Sequence, residues 1–246
     1  MDVSIVVTTY NYSQFIDECL DSCLCQQNTD LEYEVIVVDD GSTDDTPALL
    51  ARRVHPRLRV LRINNSGIEN ASNTGFAAAR GRYIVRVDAD DTLLPNYLEQ
   101  MSVAFSQDFD FCYPDYFIVD ENSIVKELVR LPPYHVAEIM SRGDFLATGT
   151  LYSANVIHSY GGYSGLTPNS GLENYEFIIN LICDGANGIH ISSPLFNYRR
   201  HSVNMSVART NRIIAYGRDL FRKKGLGSFR TNQYHPYKLL LEEPLP

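Results

Sequence analysis

The sequence contains no stretch approaching the ~20 apolar residues that span a bilayer, and its N-terminus has no basic region leading into an apolar run. Nothing in it reads as a membrane span or a leader, so a cytosolic location is expected. Cysteine is scarce: five residues in 246, an odd number with no CxxC spacing, which argues against a disulfide framework or a zinc ribbon. Cys19, Cys23 and Cys25 share one predicted helix and read as small, reduced thiols. Glycine-rich phosphate loops are missing as well. No GxGxxG follows the first apolar run and no GxxxxGK[ST] occurs, which excludes Rossmann-type dinucleotide binding and a P-loop. Any phosphate charge must be met in another way.

Positive charge is also in short supply, with 21 Lys and Arg against 30 Asp and Glu and a formal net charge of -9. What there is clusters: Arg199 to Lys238 holds ten Lys or Arg and one acid, Asp219. A basic segment on an acidic body is not the pattern of a nucleic-acid binder. It suits a diphosphate, anionic lipid or an acidic partner. Within it, Ile213 to Lys224 reads as an amphipathic basic helix and a candidate for peripheral contact with the inner membrane surface.

What is present is an alternation. At 44% apolar residues, the chain suits one α/β domain with a substantial core. Val3 to Thr8, Glu34 to Val38, Leu58 to Ile63 and Tyr83 to Val87 read as buried strands. Phe15 to Cys25, Thr43 to Val54 and Asn70 to Arg80 read as the helices between them, the second with Asp44 and Asp45 early, Pro47 in its first turn and Arg52-Arg53 at its end. Continuous apolar strands separated by helices predict a mostly parallel central sheet with helices on both faces.

In such sheets ligands bind at the carboxyl ends of the strands. Three polar clusters fall there: Thr8-Thr9-Tyr10-Asn11, Asp39-Asp40-Gly41-Ser42 and Asp88-Ala89-Asp90-Asp91. Three carboxylates in four residues repel one another, and a divalent cation bridging phosphate oxygens is the economical partner for them. Asp39 is positioned to accept hydrogen bonds from a base or ribose. Asp88 to Thr92 also spells DxDxT, the nucleophile loop of haloacid-dehalogenase-like phosphohydrolases, but that family needs the motif near its first strand and a second acidic strand end downstream.

The order Val3-Ser4-Ile5-Val6-Val7-Thr8-Thr9-Tyr10-Asn11, Val37-Val38-Asp39-Asp40-Gly41-Ser42-Thr43-Asp44, Asn73-x-Gly75, Ala79-x-Gly81-x-Tyr83-Ile84 and Asp88-Ala89-Asp90-Asp91 resembles the successive motifs of family 2 glycosyltransferases of the GT-A fold. The resemblance covers roughly residues 1 to 95, with Thr8 where the family often has proline. It implies a metal-dependent, inverting transferase that moves a sugar from a nucleoside-diphosphate sugar, expected to be UDP-linked, to a saccharide or lipid-linked acceptor. Thr8, Thr9, Tyr10, Asn11, Asp39, Asn73, Asp88, Ala89, Asp90 and Arg199 are then expected at the nucleotide sugar, with Asp90, Asp91 and His201 at Mn2+ or Mg2+.

The second half is similar more loosely, through Gly161-Gly162-Tyr163, Gly171-Leu172-Glu173-Asn174-Tyr175-Glu176-Phe177 and Pro194 to His201. Where the family usually shows Glu-Asp, its aspartate commonly the general base, this chain has Glu173-Asn174. An amide cannot take a proton from an acceptor hydroxyl. Glu173 is the preferred base; Glu176, Asp144 or a catalytically silent sugar-nucleotide binder are the alternatives. The resemblance divides the chain into a nucleotide-sugar half (1 to 95), an acceptor-side half (96 to 205) and a basic C-terminal helix and tail (206 to 246). Tyr113, Tyr116, Tyr134, Tyr152, Tyr160 and Tyr163 are candidates for stacking on acceptor sugars or for the core. The sequons at Asn11, Asn64 and Asn204 matter only to a secreted chain.

Overall fold

The computed structural model describes residues 1–166, 169–201 and 210–241. The Asn204-Met205-Ser206 sequon and the last residues of the tail lie outside the described residues. The first four strands are β1 (Val3–Thr9), β2 (Tyr33–Asp39), β3 (Leu58–Arg62) and β4 (Tyr83–Asp88). They pair in parallel in the order β3-β2-β1-β4. Between them run α1 (Ile16–Leu24), α2 (Thr46–Arg52) and α3 (Ile68–Ala78).

Strand side chains alternate between faces, and both faces are covered. Val3, Ile5 and Val7 of β1, with Val35, Val37, Val85 and Val87, pack on Ile16, Cys19, Leu20 and Cys23 of α1. Val6 and Ile84 face the other way, onto Phe76 of α3. That helix sits unusually close: a Cβ at Gly75 would lie 2.2 Å from Val6 Cγ1. The glycine in the Asn73-x-Gly75 motif is therefore a packing requirement.

Beyond β4 the sheet changes character. It continues through β8 (Leu151–Ser153), β6 (Phe111–Val119) and β9 (Gly188–Arg199) to β5 (Thr92–Leu93), while β7 (Val125–Val129) pairs with β6. The β4-β8, β8-β6, β6-β7 and β5-β9 pairs are antiparallel, and β6-β9 is parallel. The expected parallel sheet is thus the N-terminal half of a larger mixed one. Here α4 (Tyr97–Met101), α5 (Val136–Arg142), α6 (Ala154–Tyr160), α7 (Glu173–Cys183) and α8 (Thr210–Lys224) complete the fold. Ile213, Leu220 and Phe221 of α8 join the α7 core, leaving Arg218, Arg222 and Lys223 in solvent. Tyr113, Tyr116, Tyr152 and Tyr163 are buried, and Tyr160 is exposed. Cys19, Cys23 and Cys112 are buried free thiols, while Cys25 and Cys183 are exposed. Among the described residues no helix is long and apolar enough to cross a membrane.

Candidate active site

A cavity of about 530 Å³ opens at the carboxyl ends of β1 and β4. One wall carries Thr8, Thr9, Tyr10 and Asn11, together with Asp40, Ile68 and Ala71. Asp88, Ala89 and Asp90 lie on its floor, and the opposite wall is built from Asp144 to Ala147, Gly171 to Asn174, Tyr198 and Tyr237. The loops are tied to each other rather than left to solvent. Asn11 holds a positive φ of 59° and its Oδ1 accepts the Thr43 backbone N–H at 2.7 Å. Ser42 Oγ in turn accepts the Asn11 N–H at 2.9 Å.

The two acids at the end of β2 have different surroundings. Asp40 lines the cavity and accepts the N–H groups of Ser66 (2.9 Å) and Gly67 (3.0 Å), which fixes the entry to α3. Asp39 is 1% exposed; its Oδ1 accepts the Ser42 N–H at 2.8 Å, and its Oδ2 lies 3.5 Å from Arg62. It sits beneath the wall, and Asp40 is the acid that faces the open space.

At the floor, the element that a sequence reading passed over is Arg86. Its guanidinium is 2% exposed, 2.8 Å from Asp88 Oδ1 and 2.9 Å from Glu173 Oε1, with the Tyr163 ring 5.4 Å from its carbon. Burial opposes its charge, but Asp88, Tyr163 and Glu173 together hold it protonated. A single charge inside an otherwise apolar strand was the signal available, because a buried charge requires partners. Desolvation pushes the Asp88 carboxyl up despite Arg86, and Asp90 and Glu173 add to it. Asp91 is driven well above the usual carboxylate range, first by burial and then by Asp90 and Asp88. Below that loop the Cys19 thiol rests 3.6 Å from the Asp88 carbonyl oxygen.

Several expected residues are not on the cavity wall, each for a visible reason. Arg199 is 1% exposed, with Nε on the Asp90 carbonyl (2.7 Å), NH2 on Glu18 (2.7 Å) and NH1 on Ser123 (2.8 Å). It braces the acidic loop from behind and does not face the cavity. Asp91, also 1% exposed, accepts the Arg199 N–H on Oδ1 at 2.8 Å. Asn73 exchanges two hydrogen bonds with the backbone of Tyr163, at 2.9 and 2.8 Å, and so holds the Gly161-Gly162 turn. His201 does reach the acids: its Nε2 lies 2.9 Å from Asp90 Oδ2, with the ring 4.9 Å from that of Phe15.

Among the described residues no three His, Cys, Asp or Glu side chains are gathered as a ready-made metal cage. Asp88, Asp90 and His201 nevertheless supply two hard carboxylates and an imidazole, a donor set that suits Mn2+ or Mg2+. Burial first, and then mutual repulsion, raise the Asp88 and Asp91 carboxyls, and a cation would offset both.

Glu173 and Asn174 open α7 facing the cavity, but neither is idle. Glu173 is ion-paired to Arg86. Asn174 accepts hydroxyl hydrogen bonds from Tyr152 (2.7 Å) and Tyr163 (2.8 Å) and donates to the carbonyls of Phe145 (2.9 Å) and Leu146 (3.1 Å). All four of its hydrogen-bonding positions are filled.

Comparison with known proteins decides the family, since residues 4–165 match the glycosyl transferase family 2 pattern. The chain belongs to glycosyltransferase family 2. It is 44% identical over 108 residues to a chondroitin synthase of Escherichia coli, covering 43% of this chain and 16% of that protein. A putative glycosyltransferase of Bacillus subtilis, EpsH, is 27% identical over 244 residues, covering 94% of the chain and 67% of the relative. The chain thus spans less than a fifth of the chondroitin synthase. Among solved structures, residues 1–349 of S. aureus TarS in complex with UDP-GlcNAc give a TM-score of 0.74 at 20% identity, covering 93% of this chain and 67% of that one. A mannosyltransferase from Pyrobaculum calidifontis, in complex with GDP-Man and Mn2+, gives 0.69 at 21%, covering 96% and 66%. At such identities these likenesses speak for the fold, which is GT-A.

Proposed function

We propose that this family 2 chain is an inverting transferase that moves a sugar from a nucleoside-diphosphate sugar, UDP-linked in the first instance, to a hydroxyl of a glycan or lipid-linked saccharide. The observation that carries the reading is the single cavity shared by Thr8 to Asn11, Asp40 and Asp88 to Asp90 on one side and by Asp144 to Ala147 and Glu173 on the other. Residues 1 to 95 would take the donor, and 96 to 205 the acceptor. Asp88 and Asp90, the latter steadied by His201, would hold Mn2+ or Mg2+; when bound, that ion offsets charge on the departing diphosphate. Arg86 holds Asp88 in place and opposes the rise that burial imposes on its carboxyl, and Arg199 fixes the loop that presents Asp90. The Thr8 to Asn11 and Asp40 loops position the nucleoside.

In the same reading, the chain works in the cytoplasm with the exposed basic face of α8 against anionic lipid. The apolar face of that helix is packed into the body, so adhesion would be electrostatic.

The test is incubation with UDP-, GDP- and dTDP-sugars and Mn2+. Nucleoside diphosphate release that follows the donor is the expected result. Phosphate release from simple phosphomonoesters in the absence of a sugar nucleotide would instead favour the DxDxT phosphohydrolase reading. Against that reading, Asp88, which would have to be its nucleophile, is ion-paired with Arg86.

A further inference from the structure

Transfer requires a group that accepts the proton of the attacking hydroxyl, and five carboxylates line the cavity: Asp40, Asp88, Asp90, Asp144 and Glu173. Four are engaged by partners that a base would have to give up or that lie at the wrong end. Asp40 is held by backbone N–H groups at the nucleoside end. Asp88 and Glu173 share Arg86, and Asp90 meets His201. Proton uptake at Asp88, Glu173 or Asp90 would disrupt the pairing that each already makes.

Asp144 differs in lying on the Glu173 side of the cavity with one carboxylate oxygen unengaged. It is 4% exposed, its Oδ1 accepts the Phe145 N–H at 2.6 Å, and its Oδ2, itself buried, has no hydrogen-bond partner among the described residues. Among the described residues no salt bridge engages it. The chain places it deliberately. Gly143 ends α5 at φ +80°, where a Cβ would lie 2.6 Å from the Arg230 carbonyl oxygen, so the turn admits only glycine without displacing backbone. On the other side, Asn174 donates to the Phe145 and Leu146 carbonyls and holds the next two residues.

We infer that Asp144 is the general base of the transfer and that Asn174 is its positioning residue. The inference rests on the transferase reading above. In the step, the acceptor hydroxyl oxygen bonds to the anomeric carbon while the bond from that carbon to the diphosphate oxygen breaks. The bonding pair leaves with the nucleoside diphosphate, and the hydroxyl proton passes to Asp144 Oδ2 and later to solvent. Burial raises the Asp144 carboxyl to about 8, with Glu173 adding to the rise and the Phe145 N–H, Tyr237 and Arg142 opposing it. Tyr116 and Tyr175 also face it and are neutral at this pH. A base poised there matches the operating range of general catalysis.

The experiment measures nucleoside diphosphate release from UDP-GlcNAc and from GDP-mannose, with Mn2+ and mixed monosaccharides, between pH 5.5 and 9.5, beside calorimetric donor binding. Wild-type turnover should climb along an alkaline limb centred between about 7 and 9. Asp144→Asn, close in shape, should bind donor within about threefold of wild type and lose at least a hundredfold in turnover at every pH. Glu173→Gln should be slower but keep the limb. Asn174→Asp cannot donate to the two carbonyls and should lose about tenfold or more. Turnover in Asp144→Asn above a tenth of wild type, loss of the limb in Glu173→Gln alone, or a gain in Asn174→Asp would overturn the assignment. Donor binding with no release by the wild-type chain overturns it while the donor site stands, and absence of donor binding removes the transferase reading itself.

Discussion

Arg86 is the residue on which both walls of the cavity depend. It joins Asp88 at the end of β4 to Glu173 at the start of α7 with two short ion pairs. Arg86→Met keeps the volume but strands two desolvated carboxylates, and should destabilise the chain by about 3–5 kcal/mol in urea unfolding. Adding Glu173→Gln to that variant should return part of the loss; strictly additive losses would show that the pair is not coupled. Asp144 gives a pH signature. The folded chain holds its proton up to about 8, whereas an unfolded aspartate releases it near 4. The folded state therefore binds more protons between those values, and stability declines as pH rises through them. Between pH 5 and 8.5 wild type should lose on the order of 4 kcal/mol relative to Asp144→Asn. Equal pH responses of the two urea midpoints would mean that the carboxyl is already ionised in the folded chain. Sequence reasoning found the carboxylates because acids at strand ends are conspicuous. It could not separate Asp39 from Asp40, or foresee that Arg199 turns away from the cavity, because the direction of a side chain at a loop is set by neighbours remote in sequence.

At the level of elements, the four parallel strands were legible because each is an apolar run long enough to have one reading, and their ends agree with the sequence pattern to within about two residues. α2 starts at Thr46, later than the Thr43 expected, because Asp44 Oδ1 accepts the Thr46 N–H outside the helix. The strands after β4 were not legible. β5 has two residues and β8 three, too short for any period to show, and their antiparallel partners lie far along the chain. The contact of α3 with β1 supplies a prediction: Gly75→Ala places a methyl 2.2 Å from Val6 Cγ1 and should cost ~1–3 kcal/mol. Because Ile68 and Ala71 of the same helix line the cavity, donor affinity in calorimetry should weaken with it. Lost stability at undiminished affinity would mean that the helix adapts without moving the wall.

For the whole molecule, charge is segregated: a net -9 chain carries an exposed basic helix face at Arg218, Arg222 and Lys223. Flotation with vesicles containing phosphatidylserine should retain the chain at low ionic strength and release it at 0.5 M salt, on the scale of roughly 1 kcal/mol per basic residue. Retention that ignores salt would point to apolar insertion, for which α8 has no free face. The fold class was readable from the first ninety residues, but the cavity is completed by Tyr198 and Tyr237, whose place depends on the return of the chain across the sheet. One further consequence concerns time. Cys25 and Cys183 are exposed, whereas Cys19 lies under the Asp88 carbonyl, its thiol kept protonated by Cys23 and by burial. A thiol reagent should consume the exposed pair at once and reach Cys19 only when the acidic loop lifts. With Cys23→Ala and Cys112→Ala removing the other buried thiols, the slow phase of labelling is then a clock for opening at the floor of the donor site, and saturating UDP-GlcNAc with Mn2+ should slow it.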